Sequence, residues 1–157
     1  MNIWNRSTRI PEIYGTIIFL GLLLYFFIMY AAGLIHVIEL RVVNLLIMAA
    51  GVYFALKQYK RTHDGHLNYF RALVAGTSAA VIGTSTFALF LFFFLKFEGT
   101  LMISIKQHEA LGPYLNPYIA SFAVFLEGIF SGFGLTYLMV NYVDTDNVAD
   151  PVGHTVR

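Results

Sequence analysis

The chain has 157 residues, of which 58% are hydrophobic and only 12% are charged, and its formal net charge is +1. Because soluble domains carry about a quarter charged residues, this composition excludes an ordinary water-soluble globular domain. The small net charge excludes a basic surface for nucleic acid, and the absence of cysteine excludes disulfides, thiolate nucleophiles and cysteine-ligated metals.

Four long apolar stretches make up most of the sequence, at residues 13–38, 40–56, 72–95 and 117–143. A helix rises about 1.5 Å per residue and the hydrocarbon core of a bilayer is roughly 30 Å thick, so each stretch can span, the second only just. Backbone groups in lipid must be hydrogen-bonded within the protein, and these stretches are too long and uniformly apolar for barrel strands. We predict an all-α integral membrane bundle of four antiparallel helices, with a single transmembrane domain over residues 1–143 and a flexible polar tail over 144–157.

The first span follows a basic amino-terminal segment that contains Arg6 and Arg9. Its apolar run is far longer than the roughly 7 to 15 residues of a secretory signal core, so we predict a retained helix. Only about three residues, from Glu39 to Arg41, separate it from the second span, which predicts an antiparallel hairpin. His36 is the only histidine near a span, which argues against a bis-histidine haem.

The connection between the second and third spans has the densest basic cluster, made of Lys57, Lys60, Arg61 and Arg71. By the positive-inside rule, this connection and both termini are predicted to face the cytoplasm. His63, Asp64 and His66 share the connection, but three such residues in a charged turn are more often solvated than metal-binding. We therefore expect no metal and no cofactor.

Small residues on the third and fourth spans recur at spacings that let helix backbones approach closely, which in lipid is a main source of helix association. The predicted helix-packing residues are Gly76, Ala80, Gly83, Gly128 and Gly132. We expect the third and fourth spans to form a close pair. Whether the pair Gly128 and Gly132 faces its own chain or a second protomer stays open.

Two features flank the outer end of the third span. The connection at residues 96–116 mixes apolar and charged residues, which favours a short amphipathic helix at the membrane interface over an irregular loop. The end of the span is rich in phenylalanine, and we expect this group to face lipid or a partner: Phe87, Phe90, Phe92, Phe93, Phe94 and Phe97.

Glu127 is the only ionisable side chain well inside a span. A charge at that depth costs at least about 2.5 kcal/mol, so such residues usually face a bundle interior. One hypothesis is a protonated, structural side chain hydrogen-bonded to Thr84 or Ser85, which lie at similar depth on the third span. The other is a role in binding or carrying an ion, proton or substrate. Asn44 is a further intramembrane polar residue, nearer the outer third of the second span.

One part of the chain resembles a known membrane family. The residues that carry the resemblance are Tyr59-Lys60 through Asp64-Gly65, Leu67 to Leu73, Gly76, Phe125 to Gly128, and Ser131-Gly132. They are similar to the bacterial membrane family known as domain of unknown function 4199, over residues 52–143. The resemblance implies four helices in a bacterial inner membrane and a small-residue third helix. It implies no established activity.

The sequence contains no Gly-rich phosphate loop, no Ser-His-Asp set and no paired carboxylates, so we predict no catalytic residues. The leading hypothesis is a non-catalytic accessory or scaffold subunit of a larger membrane complex, with lipid, other membrane subunits or further copies of the chain as partners. The alternative is a small transporter component that uses Glu127.

Overall fold

A computed structural model of the protein describes residues 9–34, 41–62, 69–108 and 112–148. These residues form five α-helices and a 3-10 turn at Gly112–Tyr114. The helices are α1 (Ile10–Ala31), α2 (Arg41–Thr62), α3 (Tyr69–Phe97), α4 (Gly99–His108) and α5 (Pro117–Val148). Four of them, α1, α2, α3 and the 117–143 part of α5, are long and apolar enough to cross a membrane. The predicted all-α four-helix membrane bundle is therefore confirmed, and so is the short helix between the third and fourth spans.

The first helix ends earlier than the predicted limit at residue 38, and Gly33 explains why. Gly33 has a φ of +70°, a left-handed conformation that costs little only in glycine. The N–H of Leu34 donates to the carbonyl of Met29 at 3.0 Å, and the N–H of Gly33 donates to Tyr30 at 3.1 Å. This pair of bonds is a Schellman motif, which terminates α1 inside a continuous apolar run. Residues 35–40, with His36 and Glu39, lie outside the described residues.

The last helix begins at the predicted residue and extends beyond the predicted span. The side-chain oxygen of Asn116 accepts the N–H of Ile119 at 2.8 Å, and Pro117 occupies the first helical position, where its missing N–H costs nothing. At the other end, α5 continues to Val148, so residues 144–148 of the predicted flexible tail are helical. Residues 149–157 lie outside the described part of the chain.

Within the bundle, α2 and α3 lie between α1 and α5. α3 packs extensively on both α5 and α1, and α2 contacts the other three spans. The predicted close pairing of the third and fourth spans is therefore present. The amino group of Lys60 on α2 also donates to the carbonyl oxygen of Val143 on α5 at 2.8 Å, which ties the two helices together at the basic end of the bundle.

The expectation that the whole phenylalanine-rich end of α3 faces lipid or a partner is wrong. Phe87 is only 5% exposed, and Phe26 of α1 makes edge-on ring contacts with Phe87, Phe90 and Phe94 at centroid distances of 6.1, 5.8 and 5.1 Å. Positions three or four apart share a helix face, so this face packs on α1 instead of lipid. Phe93 and Phe97 remain exposed, Phe97 to 83%.

Two further contacts close the end of the bundle opposite the basic residues, which is called the outer end after the predicted orientation. The hydroxyl of Tyr30 on α1 hydrogen-bonds to the carboxylate of Glu98, at the junction of α3 and α4. Leu101 and Met102 of α4 are buried with Leu91 and Leu95 of α3. α4 therefore folds back over the outer end of α3 and contributes to the core.

Candidate functional site

Small residues of α3 and α5 meet at three successive levels of the bundle. A Cβ atom at Gly76 would lie 2.5 Å from Cγ2 of Thr136, a Cβ at Gly132 would collide with Ala80, and a Cβ at Gly128 would collide with Thr84. The α3 positions rise by four residues while the α5 positions fall by four, as an antiparallel pair requires. The glycines thus let the two backbones approach more closely than any other residue would allow.

Gly83 belongs to a different contact. A Cβ at Gly83 would lie 2.8 Å from Cγ2 of Ile18 and 2.9 Å from the carbonyl oxygen of Gly15, both on α1. Gly83 is one residue before Thr84, so it is turned by about 100° around the helix axis from the α5 contact. The five predicted packing residues therefore divide between two interfaces, with Gly83 on α1 and the others between α3 and α5.

Two of the buried hydroxyls between α3 and α5 are satisfied by their own helices. Oγ1 of Thr84 donates to the carbonyl of Ala80 at 2.8 Å, and Oγ1 of Thr136 donates to the carbonyl of Gly132 at 2.7 Å. Both side chains are buried. Bonds of this kind hide a hydroxyl in an apolar contact without a partner from another helix. Thr84 therefore acts here as a packing residue.

Glu127 does not face the interior of the bundle. It lies one residue before the buried Gly128, on the exposed side of α5, and it is exposed in the structure. Within the described part of the chain, neither Thr84 nor Ser85 hydrogen-bonds to its carboxylate. The predicted inward position is wrong, because the close contact with α3 takes the Gly128 face of α5 and leaves the neighbouring Glu127 face outside.

Asn44 lies at the level of Glu127 on the neighbouring helix. Met48 of α2 is near Gly132, with its sulfur 3.5 Å from a Cβ at that glycine. α2 and α5 run in the same direction, so one turn toward the outer end brings Asn44 level with Gly128 and Glu127. Asn44 and Ser85 are both half-buried. The polar residues predicted inside the membrane are thus at similar depth, but they do not converge on one interior site.

The exposed face of α5 carries a second row of small and polar residues that the sequence analysis missed. Ala123, Glu127, Ser131 and Gly134 follow one another at spacings of four, four and three residues, which places them on one helix face. No atom lies within 4 Å of a Cβ placed at Gly134, so the helix is accessible there. We call these four residues the Glu127 face. Their spacing can be read from the sequence. The neighbouring pair Gly128 and Gly132 has the same four-residue spacing, however, so the spacing alone does not distinguish the two rows.

No group of three metal-ligand side chains occurs in residues 9–34, 41–62, 69–108 and 112–148. The histidines and the acidic residue considered above for metal or haem lie outside the described side chains: His36, His63, Asp64 and His66. The polar chemistry that the structure presents is therefore that of the Glu127 face and of the basic end of the bundle.

Comparison with known proteins gives one match. A family model described as a protein of unknown function (DUF4199) matches residues 13–110, which is more than half of the chain. The match begins in α1 and ends after α4, so α5, including the part of the resemblance at Phe125 to Gly132, lies beyond it. No match was found among curated proteins or among solved structures.

Proposed function

The chain belongs to the DUF4199 family, whose function is unknown, and we propose that it is a non-catalytic accessory subunit that joins a larger membrane assembly through the Glu127 face of α5. The observation that carries this proposal is the position of Glu127, exposed on the outside of the bundle about three residues from the middle of the 117–143 span. A bilayer offers no hydrogen-bond partner at that depth. A second protein does.

The energetics favour a covered carboxyl group over a bare one. A carboxylate at the centre of a span costs about 2.5 kcal/mol or more on insertion scales, and a protonated one still leaves polar atoms unpaired in hydrocarbon. A donor on a neighbouring helix, such as a lysine, arginine, histidine or amide side chain, removes this cost. The partner that fits is therefore a transmembrane helix with a polar donor near its middle.

The residues around Glu127 allow such a helix to come close. Ala123, Ser131 and Gly134 present little side-chain bulk on the same face, and Gly134 has open space in front of it. Small residues at four-residue spacing favour close backbone contact between membrane helices. The α3 contact uses the other face of α5, so the bundle can keep its own packing while α5 binds a partner.

The alternative role, a transporter component, needs the same face. Transport through a single bundle requires Glu127 to line the interior, whereas the side chain is exposed. A proton or cation could reach Glu127 along a path between this chain and a second one. Both hypotheses therefore require a partner at the Glu127 face, and they differ in whether the charge itself is used.

Identification of co-purifying chains tests the accessory role. The protein, extracted from its native membrane in polymer nanodiscs without detergent exchange, should carry a second membrane protein at a fixed ratio, measured by native mass spectrometry. A chain that purifies alone would contradict both hypotheses. One that purifies only with copies of itself would contradict the accessory proposal and favour the transporter alternative.

For the membrane location we propose the bacterial inner membrane, following the family resemblance, with both termini in the cytoplasm. The support is the basic end of the bundle, where Lys57, Lys60, Arg61 and Arg71 lie near the start of α1. Because the chain has no cysteine, single cysteines can be introduced without background. A cysteine at His63 should be protected from an impermeant thiol reagent in intact cells, and one at Gln107 should be labelled. Labelling of both from outside would reject this orientation.

A further inference from the structure

A cavity of about 310 Å³ opens on the side of the bundle at its basic end. Its walls come from the start of α1, the end of α2 and the first turns of α3, and they include Pro11, Tyr59, Phe70, Arg71, Val74 and Ser78. Most of the lining is apolar, and its polar groups are one guanidinium and two hydroxyls. The cavity is separate from the Glu127 face, which lies on α5.

The charge at the cavity end of the bundle is positive on balance. Arg9, Lys57, Lys60, Arg61 and Arg71 all lie at this end, and the acidic residues of the described chain there are Glu12 on α1 and Asp144 and Asp146 in the last turns of α5. Arg71 is exposed and lies near the start of α3, at the basic end of the bundle. Arg71 and Tyr59 already have interaction partners in the structure. A guanidinium has five N–H donors, however, so it can bind a phosphate in addition.

Below Arg71, the cavity follows α3 toward the membrane interior. Ser78 is seven positions after Arg71 on α3, and at about 1.5 Å per residue this spacing covers roughly 10 Å of depth. Val74, between them, is 64% exposed and forms an apolar wall. The cavity is therefore cationic at Arg71, which we call its mouth, and apolar along Val74 toward Ser78, which we call its shaft. A membrane lipid has the same order, with a charged headgroup followed by an acyl chain.

We propose that this cavity binds an anionic phospholipid, with the phosphate at Arg71 and one acyl chain along Val74 toward Ser78. A free phosphate would use only the mouth of the cavity, where water competes for the guanidinium. A zwitterionic lipid fills the shaft equally well, but its own cation repels the basic end. An anionic lipid satisfies both parts of the site.

The test compares phosphatidylglycerol with phosphatidylcholine of identical acyl chains, added to the delipidated full-length protein in detergent and counted by native mass spectrometry. Phosphatidylglycerol should bind about tenfold more tightly, because both lipids offer a phosphate to Arg71 but only phosphatidylcholine brings a cation to the basic end of the bundle. Arg71→Gln should abolish this preference. Lys57→Gln, which removes the same charge at the same end of the bundle but outside the cavity, should change it less than about twofold.

Two further measurements test the shaft and the mouth of the cavity separately. Val74→Trp narrows the shaft from an exposed position, so it should fold normally and weaken binding of both lipids. Inorganic phosphate at millimolar concentration should not displace phosphatidylglycerol. Equal binding of the two lipids to the native sequence, equal losses in Arg71→Gln and Lys57→Gln, unchanged binding in Val74→Trp, or displacement by phosphate would each overturn the proposal.

Discussion

Replacing Glu127 with leucine is expected to leave the four-helix bundle folded and to release the chain from its partner protein. The side chain is exposed on α5 and forms no hydrogen bond with Thr84 or Ser85 in the described residues, so the bundle loses no internal contact. Removal of a carboxyl group from the middle of a span even lowers the cost of insertion, by about 2.5 kcal/mol. Thermal unfolding in detergent should therefore show an equal or higher melting temperature.

The same substitution should weaken association strongly. A hydrogen bond to a charged group contributes about 1.5–3 kcal/mol, which corresponds to a loss of tenfold or more in affinity. The measurement is the ratio of partner to protein after purification in native nanodiscs. Phe122→Leu is the matched control, because Phe122 is exposed on another side of the same helix and its replacement should retain the partner.

Glu127→Gln separates docking from charge transport. Glutamine keeps a donor and an acceptor at the same position, so it should preserve both the fold and the association. If Gln retains the partner but the assembly loses its activity, the charge itself is used and the transporter alternative gains. If Glu127→Leu retains the partner, the docking surface is elsewhere. If it unfolds the bundle, Glu127 is structural, as one sequence-based hypothesis held.

A leucine at Gly132 is expected to prevent the protein from folding. A Cβ there would collide with Cβ of Ala80 on α3, and its next neighbour is the sulfur of Met48 at 3.5 Å, so the larger side chain has nowhere to go. Overpacking of this kind costs about 1–3 kcal/mol and sometimes more, a large fraction of the stability of a small domain. Gly132→Leu should give little monodisperse protein on size-exclusion chromatography, with a lowered melting temperature in what remains.

Gly134→Leu is the matched control for this prediction, two residues away on the same helix. No atom lies within 4 Å of a Cβ at Gly134, and leucine is a better helix former than glycine, which is about 0.8–1 kcal/mol less favourable than alanine, so the bundle should fold as well or better. Gly134 lies on the Glu127 face, however, and the added side chain should impede partner binding. Equal tolerance of leucine at both glycines would contradict the close packing of α3 and α5.

Hydropathy and residue spacing were enough to predict that the protein folds in lipid, how many spans it has and which two helices pack most closely. The four apolar stretches are long enough to cross a bilayer. They must be helices, because backbone groups in lipid have to be hydrogen-bonded within the span. The recurrence of Gly76 and Ala80 on one span and Gly128 and Gly132 on the other predicted their pairing, because in lipid only close approach of backbones gives a strong packing force. The Asn116 and Pro117 start of α5 is also local, since the cap is made within one turn.

Which face of each helix is turned inward could not be predicted in this way and depends on the packing of the whole bundle. In water, the apolar side of a helix marks the interior, but in lipid the outside is as apolar as the core, so the rotation of a span depends on how all its neighbours pack. In the observed rotation of α3, Gly83 contacts α1, and the buried Phe87 packs against Phe26. The rotation of α5 leaves Glu127 outside, although its depth in the membrane could be read from the sequence. Successive residues of a helix are turned by about 100° from each other, so a residue next to a glycine contact can be either buried or exposed. The residue spacing along one helix does not show which of the two occurs.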